Sequence, residues 1–194
     1  MPPRRADHPW RFIVAVQPYP DVDVLELDRS VITATLAAVQ RPGRDGNEGG
    51  VFWVGTRAAT SAVHAVVVPA GDGVIEAPGF WRVTPEVYGA ISRWASERGW
   101  SLLGICHIHG EGIPAELSIQ DRNHLVRAPG VLAVVIGSSG RDHAPDLWGW
   151  YEYASSAYRE MDADERHRRL RLTDAADVEV WAADRHGCRP AVNP

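Results

Sequence analysis

The stretch LLGICHIHGEGIPAELSIQDRNHL, residues 102–125, is the part of the chain around which the rest is organised. It begins as an apolar run bounded by Gly99 and Gly110, a pattern typical of a buried strand. A loop marked by glycine and proline follows, and Ser118 then opens a segment with the composition of a helix. The stretch therefore predicts a buried strand that a short loop joins to a helix.

Two histidines lie at the end of the predicted strand. His107 and His109 are two residues apart, so both imidazoles project from one face while Ile108 faces the core. Neutral imidazole is the commonest metal ligand in proteins. Asp121 falls in the first turn of the predicted helix, from which it can turn back toward the histidines. Two imidazoles, a carboxylate and an open fourth position describe a catalytic zinc site.

The same residues also have purely structural explanations. Ser118-Ile119-Gln120-Asp121 before an apolar segment is a capping box, with Ser118 as the N-cap. Two histidines at the end of a strand can simply be hydrogen-bonded neighbours. The capping and metal interpretations do not exclude each other, because one helix start can serve both purposes.

The combined pattern resembles the JAMM motif of MPN-domain zinc metalloproteases of the prokaryotic JAB type. That motif is H-S/T-H, a short loop and S-x-x-D, with a glutamate well upstream. Here an eight-residue loop separates His107-Ile108-His109 from Ser118-Ile119-Gln120-Asp121. Upstream, NEGGVFWVG at residues 47–55 resembles the family's E-x-G-G, apolar strand and glycine, and residues 27–40 fit the helix that precedes it. The resemblance extends from Leu27 to Tyr153.

The motif departs from the family pattern in the loop region. Ile108 stands where the family usually has serine or threonine, and Gly110 stands where it usually has proline. The loop is also slightly longer than the common form. These departures leave the ligand types unchanged and concern the shape of the loop and the fit of a substrate.

The resemblance implies a fold, a cofactor and a mechanism. The fold is the MPN, cytidine-deaminase-like mixed β-sheet flanked by helices, which agrees with the α/β (α+β) layering that the order of elements indicates. One Zn²⁺ per chain would be held by His107, His109 and Asp121, and zinc lowers the pKa of bound water to about 7. Glu48 would take the proton of the water and return it to the leaving amine. Ser118 would hydrogen-bond the oxyanion.

The resemblance also implies a substrate. The expected activity is that of a deubiquitinase-like isopeptidase or peptidase, which hydrolyses amide bonds at the C-terminus of a ubiquitin-like or sulfur-carrier protein. Activating or conjugating enzymes of the same pathway are the other expected partners. Two alternatives stay open: a hydrolase that releases an amino acid from a sulfur-carrier adduct, and a catalytically silent MPN scaffold. The intact motif argues against the scaffold, because silent relatives usually lack ligands.

Four further residues lie near the motif. Glu111 and Glu116 are in the loop and are alternative bases if Glu48 is not the base. Strand alternation points Cys106 away from the histidine face and predicts that it belongs to the core. His124, one turn past the predicted ligand of the helix, is either an outer contact of the metal site or an exposed residue.

Composition excludes several other classes of protein. The formal charge of −5 argues against a general nucleic-acid binder. No apolar run approaches the length of a membrane span, and residues 1–12 lack the apolar region of a secretory signal. Two cysteines make no disulfide framework, which favours the reducing cytoplasm. The chain has no H-E-x-x-H, C-x-x-C, G-x-S-x-G or P-loop motif, and no deaminase pattern.

The remaining segments predict a single domain over residues 1–194, with a core over about 10–183 and loose termini. The apolar patterns predict the elements that follow. Strands are expected at residues 10–17, 51–54, 61–69, 131–136, 147–154 and 177–184. Helices are expected from Asp28 or Ser30 to Pro42-Gly43, from Thr84 to Gly99, over 118–127 and, with solvated charges, over 162–172. A Gly/Pro-rich connection is expected over 70–83, and a loose tail from Arg185.

Overall fold

The computed structural model describes residues 22–174 and 177–191, so the strand predicted over residues 10–17 lies outside the described part. Within these ranges the chain forms twelve strands and four α-helices. In chain order they are β1 (Val24–Asp28), α1 (Arg29–Arg44), β2 (Gly50–Thr56), β3 (Thr60–Pro69), β4 (Val74–Ala77), β5 (Phe80–Val83), α2 (Pro85–Glu97), β6 (Ser101–Ile108), α3 (Ile119–His124), β7 (Leu132–Ile136), β8 (Gly149–Ala154), β9 (Ala157–Glu160), α4 (Ala163–Arg169), β10 (Leu170–Thr173), β11 (Glu179–Asp184) and β12 (Gly187–Pro190).

Ten of the strands form one mixed sheet. Its order is β10-β1-β3-β2-β6-β7-β8-β9, with β11 paired to β3 and β12 paired to β11. β6, which carries His107, lies in the middle of the sheet, antiparallel to β2 and parallel to β7. β4 and β5 form a separate hairpin. The predicted α+β class, a mixed sheet flanked by helices, is confirmed.

Both faces of the sheet are buried, which explains why its central strands are apolar along their length. One face carries Trp53, Cys106 and Ile108 and packs against α1. The other carries Phe52 and Ile105 and packs against α2 and the hairpin. Cys106 therefore belongs to the core, as strand alternation predicts. No helix among residues 22–174 and 177–191 is long and apolar enough to cross a membrane.

A strand that the sequence pattern does not predict, β1, leads directly into α1. β1 ends at Asp28, whose carboxylate accepts a hydrogen bond from the backbone N–H of Ser30 at 2.9 Å. Asp28 is therefore the N-cap, one of the two predicted caps. Leu27 lies in β1 instead of the helix, because β1 pairs with β3 and β10, which are distant in sequence.

The predicted end of α1 at Pro42-Gly43 is wrong, because the helix continues to Arg44. Gly43 approaches the carbonyl oxygen of Ser139 so closely that a Cβ there would lie 2.4 Å from it. Pro42 packs on Gly49, where a Cβ would lie 2.4 Å from the proline ring. These contacts with distant residues keep the last turn helical despite two residues that disfavour helices.

The Gly/Pro-rich connection predicted over residues 70–83 contains the β4–β5 hairpin, which the sequence pattern did not predict. Pro78-Gly79 forms the turn, and Gly79 has a φ of +69°, which glycine adopts without a steric cost. The carbonyl of Ala77 accepts a hydrogen bond from the backbone N–H of Glu48 at 3.0 Å. This bond fastens the hairpin to the segment that enters β2.

Three boundaries in the second half of the chain differ from prediction. α3 is shorter than the helix predicted over 118–127, because Leu125 leaves the helix and buries its side chain in the core. α4 is shorter than the helix predicted over 162–172, because its last residues pair with β1 as β10. The tail expected to be loose from Arg185 contains β12, which pairs with β11.

The predicted solvated face of α4 is confirmed for Asp164, His167 and Arg168, which are exposed, but Glu165 and Arg169 depart from it. The side chains of Arg169 and Glu165 are only 17% and 13% exposed. Arg169 contacts Glu165 and Glu152 of β8 at 2.8 Å each, and it donates to the carbonyl of Val22 at 2.7 Å. Hydrogen bonds from Arg159, and then from Arg169, lower the pKa of Glu165 to about 2. This cluster fastens α4 to the edge of the sheet.

Glu165→Gln should destabilise the protein by about 1 kcal/mol at pH 7, since partial exposure weakens an ion pair. A depressed pKa contributes stability that is complete above the ordinary value of 4.5 and is lost as the pH falls toward about 2. The difference between variant and parent in urea unfolding should therefore shrink between pH 4.5 and pH 3. Glu160→Gln, at an exposed position on β9, is the control and should change little. An undiminished difference at pH 3 would contradict this assignment.

Candidate metal centre

The backbone at the end of β6 is fixed on both sides, which sets the direction of the two histidines. The N–H of Ile108 donates to Gly49 at 2.9 Å, and the N–H of His109 donates to Ile136 at 2.9 Å. The carbonyl of His109 accepts from Ser139 at 2.9 Å, although the residue lies just past the strand. Both imidazoles therefore project from a rigid part of the sheet.

His107, His109 and Asp121 meet at one point. Nε2 of His107 lies 3.2 Å from Nε2 of His109 and 3.3 Å from Oδ1 of Asp121. Nε2 of His109 lies 3.2 Å from Oδ2 of Asp121. The three side chains are 1%, 4% and 14% exposed, respectively. They form a group that can hold a metal ion.

The capping box is present together with this group. The Ser118 hydroxyl oxygen accepts from the backbone N–H of Asp121 at 3.0 Å, and Oδ2 of Asp121 accepts from the backbone N–H of Ser118 at 2.8 Å. The same carboxylate thus caps α3 and contacts both imidazoles. The cap fixes the conformation in which Asp121 turns back toward the histidines.

The other ring nitrogens of the two histidines have different surroundings. Nδ1 of His109 lies 3.0 Å from the carbonyl oxygen of Pro114, which can only accept. That nitrogen therefore carries a proton. Nδ1 of His107 has no hydrogen-bond partner within the described ranges. The ring of Trp81 lies nearly parallel to His107, with an angle of 10° and centroids 6.1 Å apart.

The electrostatics favour a positive charge at the centre of the group. Burial alone would raise the pKa of Asp121, but hydrogen bonds with His107 and His109 bring that pKa well below its usual range. Burial likewise opposes the charged form of His109, but the hydrogen bond and charge of Asp121 raise the pKa of His109. The carboxylate therefore stays ionised and attracts cations.

The donor set fits a zinc ion. Ligands at about 2.0–2.1 Å from zinc in a tetrahedral arrangement are about 3.3 Å from one another. The three separations in this group are 3.2, 3.2 and 3.3 Å. Because Nδ1 of His109 carries a proton, a neutral ring would point the lone pair of Nε2 at the oxygen of Asp121. A shared cation removes that repulsion.

Glu48 lies beside this group and is not part of it. It precedes β2, is 7% exposed and is positioned by the hydrogen bond to the hairpin. Burial raises the pKa of Glu48, while His109 and then His107 act in the opposite direction. Glu48 is thus a buried carboxylate, held near both imidazoles, with an increased affinity for a proton.

A cavity between the β4–β5 hairpin and α3 adjoins the group. Phe80 and His124 meet edge to face across it, with ring centroids 6.0 Å apart. His124 is thus an exposed residue that faces the hairpin. The residues that line the cavity are Glu48, Gly79, Phe80, Trp81, Arg82, Val83, Tyr88, Gln120, Asp121, His124 and Leu125.

The two loop glutamates lie elsewhere. Glu111 forms an ion pair with Arg141, and both side chains are exposed. Glu116 is exposed as well. Glu48 lines the cavity, whereas these two do not. The sequence patterns did not single out Trp81 as a residue near the site. Pro78-Gly79, which lies between the apolar pairs Val74-Ile75 and Phe80-Trp81, was a signal for the hairpin that carries it.

Comparisons with known proteins bear on the fold. No family model matches the chain, and no relative was found among curated proteins. The solution structure of protein DSY2949 from Desulfitobacterium hafniense is similar, with a TM-score of 0.58 and 18% identity over 78% of this chain and 94% of that one. This likeness shows a shared fold. AF2198, a JAB1/MPN domain protein from Archaeoglobus fulgidus, matches with a TM-score of 0.44 and 11% identity over 77% and 96% of the two chains, which is too weak to carry an argument.

The purified protein should contain about one zinc ion per chain, as expected for a mononuclear site. His107→Ala removes a ligand and should lower zinc affinity by more than the roughly 10- to 100-fold that loss of an outer partner costs. Asp121→Asn keeps an oxygen for the helix cap and should also lose zinc. The control is His64→Ala, which should keep its zinc. His64 is not part of the metal group, and it contacts Thr56 of β2 and Trp100, which follows α2. Full zinc content in both ligand variants, measured by elemental analysis, would refute the site.

Proposed function

We propose that the chain is a zinc-dependent hydrolase of the JAMM type. Its reaction is the hydrolysis of an amide bond at the C-terminus of a ubiquitin-like or sulfur-carrier protein. The observation that carries the proposal is the spacing of three donor atoms at 3.2–3.3 Å beside a separate buried carboxylate, Glu48. Three ligands with a nearby base are the parts that metal-assisted hydrolysis needs.

The ligands of the ion would be His107, His109 and Asp121. A zinc ion at this point supplies a Lewis acid, which polarises a carbonyl and makes water acidic near neutral pH. The carbonyl oxygen of Pro114 lies 3.0 Å from Nδ1 of His109 and holds the proton on that nitrogen, so Nε2 is free to bind a metal ion. The helix cap holds Asp121 in place before the ion arrives, so little ordering is required on binding.

Glu48 acts as the base and then as the acid. Its burial favours the protonated form, so the carboxylate accepts a proton from water more readily than an exposed glutamate does. It holds that proton and transfers it to the leaving amine. The bond from its backbone N–H to Ala77 fixes its position relative to the ligands.

Ser118 stabilises the oxyanion. Its hydroxyl oxygen accepts from the backbone N–H of Asp121 at 3.0 Å, which orients the side chain. The hydroxyl still carries its own hydrogen, which can donate to the developing negative charge. Loss of such a donor typically slows turnover by about 100- to 1,000-fold.

This cavity is the proposed binding site of an extended peptide tail, because it adjoins the ligand group. Its walls are the β4–β5 hairpin and α3, and Glu48 and Asp121 lie where it meets the ligand group. A narrow cleft of this kind accepts backbone and small side chains, as in a carrier tail that ends in glycines. Such a tail binds in extended form as an added strand. Activating or conjugating enzymes of the same pathway are the partners that this proposal implies.

Glu48→Gln tests the assignment of the base. The substitution is nearly isosteric and removes no ligand, so fold and zinc content should be retained. Turnover should fall by at least the roughly 100- to 10,000-fold that general acid–base catalysis contributes. Glu116→Gln, a glutamate exposed in the loop, is the matched control and should keep its activity. Loss of zinc in Glu48→Gln would indicate that Glu48 is a ligand. Unchanged turnover would indicate that the base is Glu111 or Glu116 in the loop.

Fusions of carrier proteins to a reporter test the substrate. Cleavage should occur directly after the terminal glycines of the carrier, which mass spectrometry of the two products locates. A carrier whose last glycines are replaced by bulky residues should resist, because the cleft accepts few side chains. Cleavage elsewhere would reject the specificity. Release of an amino acid from a sulfur-carrier adduct alone would favour the smaller substrate, and no turnover with any carrier would favour a silent scaffold.

A further inference from the structure

The indole nitrogen of Trp81 is a buried donor without an acceptor among the residues that the structure describes. Trp81 is 8% exposed, and its Nε1 finds no hydrogen-bond partner in the described part of the chain. Buried indole N–H groups are normally hydrogen-bonded, because leaving such a donor unpaired is costly. An acceptor that is not part of the described protein therefore suits this position.

The place of Trp81 indicates where that acceptor lies. The ring packs over Gly50, where a Cβ would lie 2.8 Å from Cη2, and it is nearly parallel to His107. It lines the cavity together with Glu48 and Asp121. The indole thus lines the cavity and packs against His107, one of the three residues of the metal group.

A second tryptophan shows that an unpaired donor is not sufficient by itself. Nε1 of Trp94 is also buried and without a partner in the described ranges. Trp94 packs against Trp181 and Trp100, and the guanidinium of Arg98 lies 4.5 Å from its ring centroid. It does not line the cavity. The combination of an unpaired donor and a cavity wall distinguishes Trp81.

We propose that the indole N–H of Trp81 donates a hydrogen bond to a main-chain carbonyl oxygen of the substrate tail. The inference rests on the proposed function and adds a residue that binds the substrate. A main-chain carbonyl is present at every residue, so this bond suits a tail with small side chains. The bond would orient the tail within the cavity, so that the amide to be cut faces Glu48.

Trp81→Phe removes the donor and keeps an aromatic ring beside His107. Zinc content and fold should be retained, and KM should rise by about 3- to 10-fold, the usual effect of one neutral hydrogen bond. The value of kcat should change less, because the bond exists in both the bound substrate and the transition state. Trp94→Phe is the matched control and should leave both constants unchanged.

Nuclear magnetic resonance observes the indole directly without substitution of Trp81. The ¹⁵N-labelled Glu48→Gln variant, in which turnover should be at least roughly 100-fold slower, is titrated with a synthetic peptide of a carrier tail ending in glycines. The chain has eight tryptophans, and the signals of Trp81 and Trp94 are assigned by their loss in the two phenylalanine variants. The Trp81 indole signal should move downfield on binding, while that of Trp94 stays in place.

The outcomes separate this inference from the proposed function. If the carrier is cleaved and the peptide binds, but the Trp81 signal and the KM of Trp81→Phe do not change, the inference is overturned and the proposed function stands. If Trp81→Phe loses zinc, the ring positions His107 and does not bind the substrate, which also overturns it. If no carrier is cleaved and no peptide binds, both are overturned.

Discussion

The carboxylate of Asp121 is the group on which the rest of this region depends. It accepts from the start of its own helix and contacts both imidazoles at 3.2–3.3 Å. α3 has only six residues, and a helix that short is unstable by itself. The cap and the contact with the histidines therefore hold α3 at the end of β6. One carboxylate joins the helix start to the central strand of the sheet.

The sheet makes this contact possible because β6 is rigid. Its neighbours β2 and β7 hydrogen-bond to both of its edges, so the two histidines are presented at a fixed spacing. The β4–β5 hairpin packs on the face of the sheet that carries Ile105. The carbonyl of Ala77 accepts a hydrogen bond from the backbone N–H of Glu48, and the ring of Trp81 is stacked on that of His107. Glu48, the proposed base, is thus positioned by a short element outside the main sheet, and the same element contacts His107.

Sequence patterns predicted local features better than long-range ones. Alternation around Ile108 correctly predicted which side chains of β6 enter the core, and S-x-x-D correctly predicted the cap. The H-x-H and S-x-x-D patterns also favoured His107, His109 and Asp121 as one group, and the structure brings these three residues together. The end of α1 was wrong because Gly43 is held by Ser139, which is distant in sequence. β10 and β12 were missed because short edge strands form only when a partner strand is available.

Charge supports the proposed metal ion over the alternative of a hydrogen-bonded histidine pair. The carbonyl of Pro114 requires a proton on Nδ1 of His109, so its contact with Asp121 requires either a second proton on that ring or another cation. A protonated ring balances one negative charge. Two carboxylates, Asp121 and the buried Glu48, lie at this centre, and their like charges oppose each other in a medium of low dielectric. A divalent ion would balance both, and it would let Glu48 stay ionised, as the proposed base must.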